Sequence, residues 1–207
     1  MPNLFVSDHP LVADKLARLR DKETNPQDFR RLMAEAAMLM GGEVLKGVRT
    51  RKAAVRTPLK SAPAVVLDQP LTFVAVLRAG LGMTQGLLEL APKAGIGHIG
   101  LYRDEKTLQP VCYYVRLPGD LKDHFVVLCD PMLATGGSAA ESIHILKTDG
   151  AKHIALLTLL ACKQGVARIR RDHPDVPIYT AAVDPVLNAK GYIVPGLGDA
   201  GDRLFNT

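Results

Sequence analysis

Five short apolar runs, at residues 73–77, 96–101, 125–129, 154–160 and 178–183, recur along the chain, and most are separated by stretches with helical spacing. That alternation constrains the fold more than any other feature. Strands joined through helices need crossover connections, and crossovers give a parallel sheet rather than hairpins. A parallel sheet is covered on both faces, which is why its strands read as continuous apolar runs. The expected fold class is α/β, a mainly parallel sheet flanked by helices. Its ligands bind beyond the carboxyl ends of the strands, so chemistry is expected in the loops after residues 77, 101 and 129.

Two regions stand outside the alternation. Near the N-terminus, Pro10 opens an apolar-periodic run, and Asn25-Pro26 has the form of an N-cap followed by a first helical residue. Phe29, Leu32, Met33, Ala36, Ala37 and Met40 then repeat at helical spacing until Gly41-Gly42. Residues 46–60 carry Lys46, Arg49, Arg51, Lys52, Arg56 and Lys60 without a single acid, and are expected to form an arm or loop that suits an anionic partner. Between 101 and 125, the string Val111-Cys112-Tyr113-Tyr114-Val115 reads as part of a β-rich flap. The expected organisation is a single domain over 1–207, with an N-terminal helical and arm region at 1–60 and a flexible flap at 104–120.

Composition removes several classes. Apolar residues make up 47% and charged residues 23%, as in an ordinary globular chain. The three cysteines form no C-x-x-C pair, which argues against a disulfide framework and a structural zinc site. No apolar run reaches the roughly 18 residues that span a bilayer. The first ten residues include Asp8 and lack the basic and apolar regions of a signal peptide. A cytoplasmic protein with no membrane partner is therefore expected. Net charge is +6 over residues 1–103 and −1 over 104–207.

The most informative string is Cys129-Asp130-Pro131-Met132-Leu133-Ala134-Thr135-Gly136-Gly137-Ser138. A strand delivers an aspartate, then a loop of small and hydroxylated residues, then a helix. N–H groups at a helix start point outward and carry partial positive charge, so they suit a phosphate monoester. Gly136 and Gly137 let the backbone approach the phosphate, and Thr135 and Ser138 add hydroxyl donors. Asp130, acceptor-only when ionised, suits sugar hydroxyls. The plain alternative is an ordinary strand-to-helix turn with Ser138 as the helix cap.

Residues 129–138 resemble the phosphoribosyl pyrophosphate loop of type I phosphoribosyltransferases, in the form carried by the uracil branch, where Asp130 is followed by Pro131 instead of a second acid. Leu77-Arg78-Ala79-Gly80-Leu81-Gly82-Met83 is similar to the family's pyrophosphate loop, and the segment from Tyr192 to Asp202 to its base-binding segment. With Tyr102-Arg103 and His9-Pro10-Leu11 in the expected order, the likeness covers essentially the whole chain. It implies a type I phosphoribosyltransferase fold and transfer of phosphoribosyl from 5-phosphoribosyl 1-pyrophosphate to uracil, with Mg²⁺ as cofactor and no residue assigned as a direct ligand of the metal. It assigns catalytic roles to Asp130, Arg103 and Asp199. Substrate contacts fall on Arg78, Arg103, Asp130, Pro131, Met132, Leu133, Ala134, Thr135, Gly136, Gly137, Ser138, Ile193, Gly198, Asp199 and Ala200. It also implies a homo-oligomer, dimer or tetramer, and brings in guanosine triphosphate (GTP), an activator of some relatives. No effector site stands out in the sequence.

Other motifs lead elsewhere and are set aside. Residues 196–201 spell G-x-G-x-x-G, but a dinucleotide fingerprint opens a βαβ unit and needs an acid about 20 positions later; only six residues follow. Gly82-Met83-Thr84-Gln85-Gly86 imitates a nucleophile elbow, with threonine where serine is needed. The histidines lack metal spacing. Two competing functions are weighed: an RNA-binding regulator, supported by the basic stretch, and an inactive nucleotide-sensing subunit. Against the first, aromatics are only 5% and the basic stretch has none to stack on bases, so no nucleic-acid partner is expected. Against the second, Arg78, Asp130, Thr135 and Asp199 are all present. Cys112 and the string Cys162-Lys163-Gln164 depart from the family's common forms, outside its three core strings.

Overall fold

The computed structural model of the chain describes residues 3–103 and 110–207, and of Arg103 the backbone alone. Leu4–Val6 forms β1, and the two expected N-terminal helices follow as α1 (Pro10–Arg20) and α2 (Pro26–Val44). Each opens as its sequence dictates. His9 Nδ1 accepts from the N–H of Leu11 at 3.1 Å, Asn25 Oδ1 accepts from that of Asp28 at 2.9 Å, and a proline fills the first helical position of both. After a 3₁₀ turn at Leu45–Gly47, β2 (Thr50–Arg56) and β3 (Ser61–Leu67) pair as an antiparallel hairpin outside the main sheet. The basic stretch thus lies largely on β2 and its turn.

The alternation comes next: β4 (Leu71–Leu77), α3 (Leu81–Leu90), β5 (Gly95–Arg103), β6 (Pro110–Arg116), β7 (Phe125–Cys129), β8 (Met132–Leu133), α4 (Gly137–Thr148), β9 (His153–Cys162), α5 (Lys163–Asp172) and β10 (Ile178–Asp184). A small pair, β11 (Val186–Leu187) and β12 (Ile193–Val194), leads into α6 (Ala200–Phe205). The main sheet runs β1-β10-β9-β7-β4-β5-β6, with β8 continuing the pairing against β9. Every pairing in it is parallel except β5 with β6.

Two features differ from the sequence reading. Residues 110–116 of the expected β-rich flap form the antiparallel edge strand β6 of the main sheet, and residues 104–109 lie outside the described residues. β1, at the opposite edge, was not foreseen: three residues are too few to show a period.

Side chains from β7 divide between the two faces of the sheet. Val127 and Cys129 pack with α1, α2 and α3, whereas Val126 and Leu128 pack with α4 and α5. Close helix contact explains the glycine spacing of α3. A Cβ on Gly86 would lie 1.9 Å from the carbonyl oxygen of Ala34 in α2, and one on Gly82 would lie 2.6 Å from Met33 Sδ. Between them Thr84 is buried and donates to the carbonyl of Leu81 at 3.0 Å, as a helix residue and not a nucleophile.

Candidate active site

The carboxyl ends of β4 and β7 open on a cleft of about 420 Å³, walled by the 130–139 loop on one side and by 190–193 and 198–201 on the other. A smaller recess of about 230 Å³, reached past Asp130, Ser138 and Asp199, extends it towards Arg78. The substrate residues expected from sequence at 130–138, 193 and 198–200 all line the larger space.

The 130–138 loop is built from its own neighbourhood. Asp130 N donates to the Leu157 carbonyl at 3.1 Å, and the Pro131 carbonyl accepts from Leu159 and Leu160, so the chain leaves β7 still attached to β9. It then turns at Gly136, whose φ of 79° is left-handed and suits a residue without Cβ. Gly136 is the N-cap of α4 and offers no side-chain hydrogen bond to its first turn. The alternative in which Ser138 caps the helix is thereby excluded. With glycine at the N-cap, the opening N–H groups of α4 face the cleft without a side chain of the cap residue over them, which suits an anion seat.

Asp130 is partly buried where β7 ends, and its Oδ1 accepts from Met132 N at 3.3 Å. Burial raises its pKa to about 6, and the Met132 hydrogen bond opposes this only in part. The neighbouring Cys129 thiol is fully buried, and desolvation with the Asp130 charge pushes it far up, so it is inert.

The opposite wall is held from a distance. Val194–Pro195 is a cis peptide, and Gly196 and Gly198 have φ of 61° and 81°. A Cβ on Gly196 would lie 2.1 Å from the Ile193 carbonyl. Arg20, at the end of α1, grips Asp184 through two bonds of 2.7 Å and donates to the Gly196 carbonyl at 2.8 Å; Asp184 accepts from Gly196 N at 2.9 Å. The Arg20 bonds, more than any other influence, hold the Asp184 carboxyl below its usual pKa despite burial. Arg203 lies over the Phe29 ring at 4.4 Å, donates to the Leu197 carbonyl at 2.9 Å and to that of Asp21 at 2.5 Å, and also reaches the Leu19 carbonyl. These contacts tie the glycine-rich loop to α1 and to the chain that follows it. Sequence reasoning missed Arg20, Asp184 and Arg203, because their partners are more than a hundred positions away, apart from Gly196 for Asp184 and Leu197 for Arg203.

Asp199 lines both spaces while its Oδ1 caps α6, accepting from Asp202 N at 2.9 Å. Arg78 stands at the recess and is ion-paired with Asp202 at 3.0 Å, with Phe205 beneath its guanidinium at 5.7 Å. Gly80 packs that loop against β7: a Cβ there would lie 2.3 Å from the Cys129 carbonyl. Arg103 ends β5, and its side chain lies outside the described residues.

A glycine-capped helix start beside a carboxylate, at the carboxyl ends of a parallel sheet and facing a second backbone-lined loop, is an arrangement that fits a phosphoribosyltransferase of type I. Solved structures agree on the fold: hypoxanthine phosphoribosyltransferase from Trypanosoma cruzi superposes with a TM-score of 0.51 at 15% identity, over 76% of this chain and 75% of that one. A much closer likeness is the AQ2163 protein of Aquifex aeolicus, with a TM-score of 0.93 at 35% identity over 98% and 97% of the two chains. The family model described as uracil phosphoribosyltransferase matches residues 6–207. The chain is 51% identical to the uracil phosphoribosyltransferase of Bacillus cytotoxicus over the whole of both sequences. It belongs to the uracil phosphoribosyltransferase family.

Proposed function

We propose that the protein transfers the phosphoribosyl group of 5-phosphoribosyl 1-pyrophosphate to N1 of uracil, forming uridine monophosphate and pyrophosphate in pyrimidine salvage. The observation that carries this reading is that one cleft joins a helix start with glycine at its N-cap to a fixed, glycine-shaped loop. The first suits a sugar phosphate, the second a small planar base. Residues 131–138 take the 5′-phosphate, Asp130 the ribose hydroxyls, and Arg78 and Arg103 the pyrophosphate. Arg78 must leave Asp202 to do so. Both partners are about half exposed, and such pairs contribute about 0–1 kcal/mol, so the exchange is cheap.

The reaction develops positive charge at the anomeric carbon, so catalysis is positioning and charge neutralisation without a covalent intermediate. Asp130 and Asp199, the acids of the cleft, set its electrostatics. Among the described residues no cluster of three His, Cys, Asp or Glu side chains could cage a metal. Asp130 and Asp199 instead offer two carboxylates beside the phosphate seat, which suits Mg²⁺, an ion that keeps several waters and is held through substrate phosphates and one or two carboxylates. When bound, it neutralises charge on the departing pyrophosphate.

Base choice falls to the 193–200 loop. Ile193, Gly198 and Ala200 have no side chain able to read a hydrogen-bond pattern, so backbone groups must. N–H groups facing the two uracil carbonyls, with one C=O facing N3–H, oppose cytosine at two positions. Each buried mismatch costs about 1–3 kcal/mol, giving discrimination of roughly a hundredfold or more. The test is purified protein with Mg²⁺, donor and labelled base. Uridine monophosphate is expected, 5-fluorouracil should be accepted, and cytosine should be poor. No uridine monophosphate sinks the reading; cytosine within about tenfold of uracil sinks the backbone readout. A cytoplasmic setting, a homo-oligomer and a GTP effector follow from the family likeness. Sedimentation reads the second, and addition of GTP to the assay reads the third.

A further inference from the structure

The 130–138 loop has a back as well as a front. One turn of α5 is pressed against it. A Cβ on Gly165 would lie 2.7 Å from the carbonyl oxygens of both Leu133 and Ala134, so only glycine lets α5 come this close. One turn further on is Arg168. Its Cβ lies 3.2 Å from where a Cβ on Gly136 would sit, and its Nη1 lies 3.4 Å from where one on Gly137 would sit. The side chain therefore runs along the two-glycine backbone to the first residue of α4. Among the described residues its guanidinium is only loosely committed elsewhere. There Nε is buried with no hydrogen-bond partner, and Asp172, the carboxylate paired with it at 3.5 Å, already takes Arg171 at 2.7 and 3.2 Å.

A helix start offers about half a unit of positive charge. A guanidinium behind it adds a whole unit, at a place where partial burial weakens the screening that silences surface charges. We propose that Arg168 is a positioning residue for the 5′-phosphate, acting through the Gly136–Gly137 backbone that its side chain backs. The proposal rests on reading residues 131–138 as the seat of that phosphate. It separates the two ends of the donor: Arg168 serves the 5′-phosphate, whereas Arg78 serves the pyrophosphate.

The experiment compares wild type, Arg168→Gln, Arg168→Lys and Asp172→Asn for kcat, for KM of donor and uracil, and for inhibition by ribose 5-phosphate and by pyrophosphate. Arg168→Gln should weaken donor KM and ribose 5-phosphate inhibition about three- to tenfold, with kcat, uracil KM and pyrophosphate inhibition within about twofold. Arg168→Lys should recover most of the loss. Asp172→Asn removes the carboxylate that competes for Arg168 among the described residues and should tighten ribose 5-phosphate by about twofold, an arm that does not depend on the glutamine variant folding. Equal weakening of ribose 5-phosphate and pyrophosphate, an unchanged Arg168→Gln enzyme, or a lysine variant as impaired as the glutamine one overturns the proposal. If ribose 5-phosphate fails to inhibit wild type at all, the phosphate-seat reading falls first and takes Arg168 with it.

Discussion

The two walls of the cleft have the same task, presenting backbone groups to a substrate, and they are held by opposite means. The 130–138 loop draws its shape from the strands it leaves and the helix it enters: Asp130, Pro131 and Gly136 bond to β9 or to α4. The 193–200 loop is set by Arg20 and Asp184, and by Arg203 anchored to Leu19 and Asp21 at the far end of the sequence. A wall made locally survives distant change, whereas a wall held by a remote ion pair inherits every weakness of that pair.

The sharpest way to break the contrast is Arg20→Ala. It strands Asp184, which is 5% exposed, and removes a donor from the Gly196 carbonyl. Leaving a buried carboxylate uncompensated costs about 3 kcal/mol, read as a lower urea midpoint. Uracil KM should rise about tenfold or more, with donor KM nearly unchanged. An unchanged uracil KM in a folded variant would mean that the loop keeps its shape without the remote pair, and the contrast would collapse.

Asp130→Asn tests the local wall. Loss of a charge-assisted contact costs roughly 1.5–3 kcal/mol, or about ten- to a hundredfold in donor kcat/KM. Stability should move the other way. Because Asp130 is raised from 3.8 to about 6 by burial, the folded chain keeps a proton there that the unfolded chain has released. That contribution is complete below about pH 4 and is lost as pH rises through about 6. Burying an ionised Asp130 is thus a cost at pH 8, so the asparagine variant should be more stable there by roughly 1–2 kcal/mol, with the gap closing towards pH 4. Wild-type donor kcat/KM should show an acid limb near pH 6 that the variant lacks. Reduced stability at pH 8 with normal turnover would make Asp130 a structural carboxylate instead.

The smallest effect is expected from Gly136→Ala. A left-handed φ of 79° costs a residue with Cβ about 1–2 kcal/mol, and that Cβ would press on the Gly165 carbonyl at 3.0 Å. Thermal unfolding should register the loss, and donor KM should weaken while uracil KM holds. Weakened uracil binding here would show the two walls to be coupled through α4 and the cleft floor.

Legibility in the sequence followed the range of the forces. The strand runs at 73–77, 125–129, 154–160 and 178–183 correspond to β4, β7, β9 and β10, because a strand buried on both faces is apolar at every position. The helix starts at Pro10 and Pro26 were readable because caps act within three residues. The phosphate loop was readable for the same reason: strand, turn and helix start are contiguous. Sequence alone could not show that 110–116 joins the main sheet as an antiparallel edge, since pairing partners are not neighbours.

What the sequence by itself determined about this protein is the parallel α/β frame, the phosphate loop and the family to which its motifs point. All of these depend on residue type at short, fixed spacing. Only the tertiary structure decided that Asp199 caps α6 while lining the cleft, that Arg78 rests on Asp202, and that Arg20, Asp184 and Arg203 hold the base-facing loop. Charged side chains choose partners by distance in space, and in a crossover fold that distance bears no relation to separation along the chain.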